Sequence, residues 1–479
     1  MRRLNAAPRM EVGAGMGCEV TIGGFDNNGQ TRLVDGRVMR FVNEPYRATA
    51  LQLYEAFTAN GLDDLGFAET WLTDVNGFMF EHRRYTISFP HEWSGAMLKD
   101  SAVFHLELFR ALARHGLTLK DALPNNIVFE GPTPKFVDFL SLVETERLGE
   151  EAWLPVASTS GQDLRRAVLS EMFERYFFLP LLAHVLRESN VARQILRHQA
   201  CNTSGARPTA RQLYRALPMA KRARAWLLVR AFRKVIELPF PAAWERLTTL
   251  ISSLSVADDT DYATYYDRKG ENFSLADTDS WLPKQQGVAR ALAEDRPGSV
   301  LDIGANTGWF SRLAASRGAK VFSLDVDDAS LNALYRRAKQ DGLDILPLHV
   351  PFGEIEQALD QSGHGSESAV FFSAPAARLK ADMTLMLGLI HHLALGENRQ
   401  LNAILGVLAR SCRKSALVEF VSLDDQLVAG NPGYFRAIGQ WSRENYNLQA
   451  VIEAARYHFA SVEIIPSHPD TRVLLHLRK

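Results

Sequence analysis

At 479 residues the chain is too long for one ordinary hydrophobic core, so two or three domains are expected. The net charge of −1 gives no overall attraction to nucleic acid or to an anionic membrane, and no nucleic-acid partner is expected. Hydrophobic residues make up 46% and charged residues 23% of the chain, which is typical of a globular protein.

The cysteines and the N-terminal segment predict a cytoplasmic protein. Cys18, Cys201 and Cys412 are far apart and odd in number, which argues against a disulfide framework and against metal-ligand spacing. The N-terminal residues MRRLNAAPRMEVGAGMG are basic, but no apolar segment follows them, so we expect no signal peptide. No run approaches the ~18 apolar residues of a membrane-spanning helix.

Residues 1–145 mix strand-like and helix-like patterns, which predicts an α+β domain. The hydrophobic periodicity predicts strands at 36–42 and 78–89, and helices at 50–61 and 94–115. Gly116 follows the last of these helices and is expected to end it.

Within this domain, the segment 117–142 resembles the catalytic half of a protein kinase. Its sequence is LTLKDALPNNIVFEGPTPKFVDFLSL. Asp121 precedes Asn126 by the spacing of the kinase catalytic loop, where the aspartate orients the acceptor and the asparagine binds Mg²⁺. Asp138-Phe139 stands where a kinase has its metal-binding Asp-Phe-Gly.

The segment also departs from the kinase pattern. Leu119-Lys120 replaces the His-Arg before the aspartate, and Leu140 replaces the glycine of Asp-Phe-Gly. No strand lysine stands in the expected context, and its nearest counterpart is Arg40. The resemblance therefore implies a degenerate kinase-like region, with an active phosphotransferase and a coincidental likeness as alternatives. Asn126 and Asp138 would bind a metal only if the region is active; otherwise no metal site is expected.

Residues 146–255 are predicted to be helical, with helices at 162–179, 186–198 and 210–237. The last helix is basic: Arg211, Arg215, Lys221, Arg222, Arg224, Arg230, Arg233 and Lys234. A basic amphipathic helix can lie on a membrane surface, so peripheral membrane contact through 211–237 is one hypothesis. The aliphatic stems of a solvated helix that covers a core give the same pattern, and Pro218 interrupts the segment.

A domain boundary is predicted at 255–274, where polarity rises and apolar periodicity is lost. The third domain is therefore expected to be residues 256–479. Tyr262, Tyr265 and Tyr266 stand just before its first strand, and Trp281 follows. These rings would form a lid over a ligand or simply pack the linker onto the domain.

The segment 298–327 has the order of a nucleotide-binding βαβ unit. A β-branched run at 300–303 leads into Gly304-Ala305-Asn306-Thr307-Gly308, and a second apolar strand ends on Asp325. Glycines let the backbone approach a ligand, and the following helix offers unpaired N–H groups. An acid about 20 residues beyond the first glycine lies where ribose hydroxyls would bind.

The alternation of strands and helices continues to the C-terminus and predicts a doubly wound, mostly parallel sheet. Helices are predicted at 329–340, 400–413 and 445–457, and strands at 345–350, 382–387, 415–421, 460–467 and 472–477. The last two strands are joined by a short turn at 468–471, which makes them a closing β-hairpin and introduces one antiparallel strand.

The C-terminal domain resembles the class I S-adenosylmethionine-dependent methyltransferases. Its motif Asp302-Ile-Gly304-Ala-Asn306-Thr-Gly308 has the Asp-x-Gly-x-x-x-Gly form of that family. The resemblance implies that Gly304 and Gly308 make room for the methionine part of S-adenosyl-L-methionine, and that Asp302 holds its amino group. It implies that Asp325 binds the ribose hydroxyls, and the remaining cofactor-binding residues would be Ala305, Asn306 and Val326. Asp302 could also pin the glycine turn through backbone N–H groups.

The acceptor side of this site is less defined by the sequence. His391 and His392 follow the fourth strand at the edge where ligands bind, and a neutral imidazole there can take a proton from an acceptor. The alternative is that they only close the pocket. Glu419 either faces the same crevice or is a buried acid bonded to backbone. The third strand lacks the acid that often meets adenine, so backbone groups or Glu354 would replace it.

The order of LTLKDALPNN and FVDF ahead of VLDIGANTG and LGLIHHLAL resembles a bacterial family that includes rhizobial host-specific nodulation proteins of the Noe type. This resemblance implies a methyltransferase whose acceptor is a small molecule, a saccharide or a lipid-linked signal precursor. Two alternatives remain: a cofactor-binding scaffold without turnover, and a bifunctional kinase-like methyltransferase. A dehydrogenase is disfavoured because the turn lacks the Gly-x-Gly-x-x-Gly spacing.

Overall fold

The chain folds into two compact units in a computed structural model. The first unit is drawn mainly from residues before Ala257, and the second mainly from residues after Val256. The structure describes residues 20–21, 28–74, 78–121, 123–147, 166, 168–200, 208–240, 242–260, 275–357, 373–435 and 438–479. Cys18, Cys201 and the three predicted lid tyrosines (Tyr262, Tyr265 and Tyr266) therefore lie outside the described residues.

The first unit begins with a five-stranded antiparallel sheet of order β1-β2-β3-β5-β4. Its strands are β1 (Val20–Thr21), β2 (Gly29–Val34), β3 (Arg37–Val42), β4 (Thr70–Leu72) and β5 (Met79–His82). Helix α1 (Arg47–Ala59) follows β3 and buries Phe57. The buried Phe139 lies 4.9 Å from Phe80 of β5, measured between ring centroids, so an aromatic core joins the sheet to the segment 117–142.

Short strand pairs and helices complete the described part of this unit. The pairs are β6 (Leu117–Leu119) with β9 (Leu142–Glu144), and β7 (Ile127–Glu130) with β8 (Thr133–Phe136). The helices are α2 (Gly95–Ala113), α3 (Leu179–Val185), α4 (Ser189–Ala200), α5 (Ala210–Ala216), α6 (Met219–Ile236) and α7 (Ala242–Ser253). A π-helical segment, Leu169–Phe178, leads directly into α3. The helix predicted at 94–115 is confirmed, and Gly116 ends it with a φ of +70°.

Two predictions of element length in this unit are wrong. The predicted helix at 210–237 is two helices, because Pro218 lacks the N–H group of a helix interior and begins α6 with extended backbone. The strand predicted at 78–89 ends at His82. Alternating hydrophobicity indicates extended backbone, but it does not reveal whether a partner strand lies beside it.

The second unit contains a seven-stranded sheet of order β12-β11-β10-β13-β14-β16-β15. The strands are β10 (Ser299–Ile303), β11 (Lys320–Asp325), β12 (Ile345–His349), β13 (Ala381–Met386), β14 (Cys412–Val421), β15 (Ser461–Pro466) and β16 (Arg472–Arg478). β10 to β14 pair in parallel, whereas β16 is antiparallel to both β14 and β15. The predicted α/β sheet with a closing hairpin is thus confirmed as a Rossmann-like arrangement.

Helices cover both faces of this sheet, as expected when parallel strands are buried. They are α8 (Pro283–Asp295), α9 (Trp309–Ser316), α10 (Asp328–Asp341), α11 (Pro375–Arg378), α12 (Leu401–Ser411), α13 (Gln426–Ala429) and α14 (Leu448–Arg456). One core packs α8, α9 and α10 against the sheet, and Trp281 belongs to it. The other packs α12 and α14 against the sheet.

Not one helix in the described ranges combines the length and the apolar composition that crossing a membrane requires.

Candidate functional site

The glycine turn lies at the carboxyl end of β10 and crosses the end of β11. The backbone N–H groups of Gly304 and Ala305 donate to the Leu324 carbonyl at 2.8 Å and 3.0 Å. Gly304, Asn306 and Gly308 have positive φ values of +78°, +52° and +75°. Helix α9 starts directly after Gly308, so its first N–H groups face the same edge of the sheet.

The space beside the two glycines is filled differently. A Cβ atom at Gly308 would lie 2.6 Å from Cδ2 of Leu334 and closer still to Cδ1, so packing of α10 as well as backbone conformation requires glycine there. At Gly304 a Cβ atom would lie 3.2 Å from Cδ2 of Leu389, beyond the end of β13. Gly308 therefore fixes the distance between the turn and α10.

Asp325 holds the glycine turn in place. Its Oδ2 accepts the N–H of Asn306 at 2.7 Å, and its Oδ1 accepts the N–H groups of Val326 and Asp327 at 2.7 Å and 2.9 Å. Burial raises the pKa of Asp325, and these backbone bonds oppose that rise. A carboxylate has about four lone-pair sites, and the donors among the described residues leave one site on Oδ2 for another donor.

Asp302 lies in β10, two residues before Gly304, and is only 3% exposed. Its Oδ2 accepts the hydroxyl of Ser311 at 2.6 Å, and Ser311 in turn accepts the hydroxyl of Ser323 at 2.8 Å. Burial raises its pKa to about 6; the Ser311 bond and Lys284 oppose the rise, while Asp325 adds to it. The alternative that Asp302 pins the turn through backbone N–H groups is wrong within the described residues, because Asp325 does so.

The other predicted cofactor residues line the same edge. Ala305 is buried, whereas the Val326 side chain is 61% exposed and offers an apolar surface beside Asp325. The Asn306 side chain accepts the N–H of Thr307 at 2.6 Å, which stabilises the turn from within. Glu354 lies in the short helix Phe352–Glu354 after β12, the strand that pairs with β11.

His391 and His392 are adjacent beyond the end of β13. Their ring centroids are 4.1 Å apart, and both rings pack against Phe435, at 5.7 Å and 5.5 Å. Burial lowers the pKa of His391 to about 2 and that of His392 to about 4. Both are neutral at pH 7, and the Nδ1 atom of each has no hydrogen-bond partner within the described part of the chain.

Glu419 faces this edge and is fully buried. Its Oε2 accepts a hydrogen bond from Lys284 Nζ at 2.6 Å, and its Oε1 accepts the Ser467 hydroxyl at 3.0 Å. The alternative that Glu419 bonds to backbone is therefore wrong within the described residues, since side chains supply its partners. Lys284 could not be predicted as a partner of Glu419, because a single lysine at the start of a helix carries no distinctive sequence signal.

A second buried ion pair, between Arg472 and Asp425, was also not predicted from the sequence. The guanidinium of Arg472 donates to both oxygens of Asp425, at 2.7 Å and 3.0 Å. Burial alone would raise the pKa of Asp425, but the bonds from Arg472, Thr471 and the Leu427 N–H lower it to about 2. This pair ties the loop after β14 to the first residue of β16.

In the first unit, the kinase-like residues come together. Nη1 of Arg40 on β3 lies 3.5 Å from Oδ1 of Asp138, and the Asn126 side chain donates to the Asp121 carbonyl at 3.0 Å. Burial and the nearby charge of Asp138 raise the pKa of Asp121 to about 6. Arg40, which was predicted only as the nearest counterpart of the kinase lysine, lies beside Asp138 in the structure.

Among the described residues, a different group of side chains has the spacing of metal ligands. Glu294, Glu463 and His476 have ligand atoms within 4.8 Å of one another. Arg478 donates to both glutamates, at 2.9 Å and 3.0 Å, and Arg290 also bonds Glu463. Two guanidinium groups on the same carboxylates oppose a divalent cation, so we interpret the cluster as an ion-pair network.

A cavity of about 350 Å³ lies away from these residues. It is lined by residues at the C-terminal ends of α8 and α9, among them Leu292, Arg296 and Arg317. Both helix ends lead into the amino ends of β10 and β11, opposite the edge that carries the glycine turn.

Comparisons with known proteins identify relatives. No family model matches the chain. It is 29% identical over 349 residues to nodulation protein NoeA of Rhizobium meliloti strain 1021, a match that spans 71% of this chain and 70% of that protein. The predicted resemblance to nodulation proteins of the Noe type is thereby confirmed.

Two solved structures illustrate the structural matches. A crystal structure of WbdD matches with a TM-score of 0.30 and 17% identity, over 48% of this chain and 46% of WbdD. The magnesium protoporphyrin IX methyltransferase ChlM from Synechocystis PCC 6803, with bound SAH, matches with a TM-score of 0.29 and 13% identity. That alignment covers 46% of this chain and 96% of ChlM, whereas less than half of WbdD is covered.

Proposed function

We propose that this relative of nodulation protein NoeA is an S-adenosyl-L-methionine-dependent methyltransferase. One observation carries the proposal: Asp302, the glycine turn and Asp325 lie together at the carboxyl edge of the parallel strands. The C-terminal strand of the same sheet, β16, is antiparallel to its neighbour β14. Ligands bind at this edge in such sheets. The open lone pair of Asp325 and the buried carboxylate of Asp302 fit a ligand with a ribose hydroxyl and an amino group.

The proposed cofactor supplies an activated methyl carbon, so the residues mainly have to orient the acceptor against it. Asp325 would accept one ribose hydroxyl at Oδ2, and Asp302 would bind the amino group with a charge-assisted hydrogen bond. The neutral His391 and His392 would accept a hydrogen bond from the acceptor at their Nδ1 atoms, whereas their lowered pKa values make both rings weak bases.

The similarity to nodulation protein NoeA supports a choice of acceptor class. A small saccharide or lipid-linked signal precursor, connected with nodulation, is the acceptor that we propose, and the protein would act in the cytoplasm. Helix α6 exposes Trp226 and Leu227 among its arginines, and Arg230 lies 5.2 Å from the Trp226 ring. Such a surface suits transient contact with anionic lipid, which would bring a lipid-linked acceptor to the protein.

The identity of the cofactor is tested by thermal unfolding with S-adenosylhomocysteine and, separately, with NAD. We expect only the first to raise the melting temperature. Asp325→Asn is expected to weaken binding at least tenfold, because an amide NH₂ cannot accept the N–H groups that hold the turn. Stabilisation by NAD alone would contradict the proposal.

Turnover needs a second measurement. Incubation of a bacterial extract with methyl-labelled S-adenosylmethionine should yield a labelled product with the wild-type protein and little with Asp325→Asn. Binding without transfer to any acceptor in the extract would instead support a cofactor-binding scaffold. Circular dichroism of the variant checks that the sheet is intact.

A second function, nucleotide binding by the first unit, is favoured by the meeting of Arg40, Asp121, Asn126 and Asp138. Asn126 and Asp138 would hold Mg²⁺, as in the kinases that the segment resembles. Oδ1 of Asp138 is buried and accepts no hydrogen bond from the described residues, so it has capacity for a cation. Arg40, at 3.5 Å from this oxygen, would bind a phosphate or compete with the metal.

We expect Mg-ATP to raise the melting temperature of the wild-type protein and not that of Asp138→Asn. The exposed Glu144, changed to Gln, serves as the control for a lost surface charge. If Mg-ATP stabilises neither the wild type nor the control, the first unit has no Mg-ATP site under these conditions. The second function would then be rejected.

A further inference from the structure

Helix α6 of the first unit has apolar side chains on two different sides. The inner side contributes four buried residues to the core: Ala225, Val229, Phe232 and Ile236. Other large apolar side chains of the same helix stay outside, because Met219 is 81% exposed, Trp226 48% and Leu227 59%. A helix that only covers a core is polar on its outer side. Packing within the unit therefore does not account for the outer apolar residues.

The exposed apolar residues share one side of α6 with two cations. Residues three, four, seven or eight positions apart lie on the same side of an α-helix. Met219 precedes Trp226 and Leu227 by seven and eight positions, and Arg230 and Lys234 continue this spacing. The Arg230 guanidinium lies 5.2 Å from the centroid of the Trp226 ring, so the two side chains are neighbours. We call these five residues the outer face of α6.

The cations of α6 differ in whether a carboxylate neutralises them. Lys221 Nζ lies 2.7 Å from Glu188 Oε1, and Arg233 Nη2 lies 2.7 Å from Glu174 Oε1. Within the described ranges, by contrast, no carboxylate oxygen lies within 4.0 Å of either cation of the outer face. The sequence of α6 also contains no acidic residue. The outer face therefore presents apolar surface and uncompensated positive charge together.

An anionic bilayer surface matches both properties. Its phosphates attract cations, and the boundary between headgroups and acyl chains takes up exposed tryptophan and leucine side chains. The net charge of −1 does not oppose this contact, because charges more than about 8 Å apart are largely screened at physiological ionic strength and the nearby cations dominate. A second copy of the chain fits less well, since two outer faces would bring like charges together.

We propose that the outer face of α6 is a docking surface for an anionic lipid bilayer, with α6 parallel to the membrane plane. Its apolar side chains enter the boundary between headgroups and acyl chains, while Arg230 and Lys234 bind lipid phosphates. This inference rests on the proposed function, in which lipid contact brings the acceptor to the protein, and it assigns that contact to five residues. The neutralised cations Lys221 and Arg233 contribute little to it.

Co-sedimentation of the full chain with lipid vesicles tests the proposal. We expect binding to vesicles of phosphatidylcholine with phosphatidylglycerol, and much weaker binding to vesicles of phosphatidylcholine alone. The double variant Trp226→Ser with Leu227→Ser removes two exposed apolar side chains and is expected to weaken binding to the anionic vesicles at least about tenfold. Tyr457→Ser is the matched control and should bind as the wild type does, because Tyr457 is 80% exposed but belongs to the second unit.

Two lysines of α6 distinguish the outer face from a general electrostatic attraction. Lys234→Gln removes a cation of the outer face, and Lys221→Gln removes a cation that Glu188 already neutralises. Both variants change the net charge of the protein equally. We expect Lys234→Gln to weaken binding to anionic vesicles about fivefold, the contribution of one cation near a membrane surface, and Lys221→Gln to weaken it less than about twofold. Equal losses would contradict the assignment to the outer face.

Binding of S-adenosylhomocysteine and sedimentation velocity keep the outcomes apart. All these variants should bind this ligand and unfold thermally as the wild type does, because none of the changed side chains is buried. If the protein docks on anionic vesicles but binds no S-adenosylhomocysteine, the methyltransferase proposal fails and the docking surface stands.

The docking inference alone fails if the protein binds S-adenosylhomocysteine but not anionic vesicles. It also fails if Trp226→Ser with Leu227→Ser docks on the vesicles as the wild type does. A wild-type dimer that dissociates in this double variant would overturn it too, because the outer face would then be covered by a second copy of the chain.

Discussion

Gly308→Ala is expected to lower the free energy of unfolding of the protein by about 2–5 kcal/mol. Its φ of +75° costs a residue with a Cβ atom about 1–2 kcal/mol. The new methyl group would lie 2.6 Å from Cδ2 of Leu334, and overpacking of this kind costs about 1–3 kcal/mol more. Urea denaturation followed by circular dichroism measures the change.

Gly342→Ala is the matched control for this prediction. Gly342 has a φ of +64°, but a Cβ atom there would meet nothing within 4 Å. This variant should therefore cost only the backbone part, about 1–2 kcal/mol. If both variants lose the same stability, Leu334 moves aside without cost and the packing argument is wrong. In the double variant Gly308→Ala with Leu334→Ala the clash should be absent. The remaining loss in the free energy of unfolding should then come from the backbone of residue 308 and from the lost packing of the leucine.

Asp302→Asn is expected to stabilise the ligand-free protein at neutral pH and to weaken cofactor binding about 10- to 100-fold. In the folded protein the pKa of Asp302 is raised from 3.8 to about 6. The native state therefore binds this proton more tightly than the unfolded chain does, so stability decreases as the pH rises from about 4 to about 6. Above pH 6 the ionised, buried carboxylate costs about 3 kcal/mol, which a neutral amide avoids.

Chemical denaturation of the ligand-free proteins at several pH values measures this effect. At pH 7 we expect Asp302→Asn to be more stable than the wild type, and below pH 4 the difference should vanish because the wild-type carboxyl is protonated in both states. The measurements below pH 4 therefore serve as the control for those at pH 7. A variant that is less stable than the wild type at pH 7 would show that the ionised carboxylate is better solvated or better paired than its surroundings indicate.

The C-terminal sheet was the most predictable part of the molecule. Its strands are short, continuous apolar runs between helix patterns, and the glycine turn with Asp302 and Asp325 is local in sequence. Their bounds differ from the predicted ones by few residues; the strand predicted at 345–350, for example, is Ile345–His349. Local signals suffice where the site is built from consecutive residues. The domain limits 1–145, 146–255 and 256–479 remain predictions.

Contacts that depend on strand order could not be predicted. Lys284 and Glu419 are 135 residues apart, and only the insertion of β16 beside β14 and the packing of α8 bring them together. The same holds for Asp425 and Arg472, which are 47 residues apart. Each residue alone carries an ordinary charge, so the sequence offers no sign that it is buried and paired.

The bonds that Asp325 makes to its own backbone affect the kinetics and thermodynamics of ligand association. Its carboxylate already fixes the N–H groups of Asn306, Val326 and Asp327 without a ligand. The loop therefore loses little conformational entropy on binding, so most of the interaction energy is available as affinity. We expect association to be close to rigid-body docking, with the loop backbone displaced by less than about 1 Å.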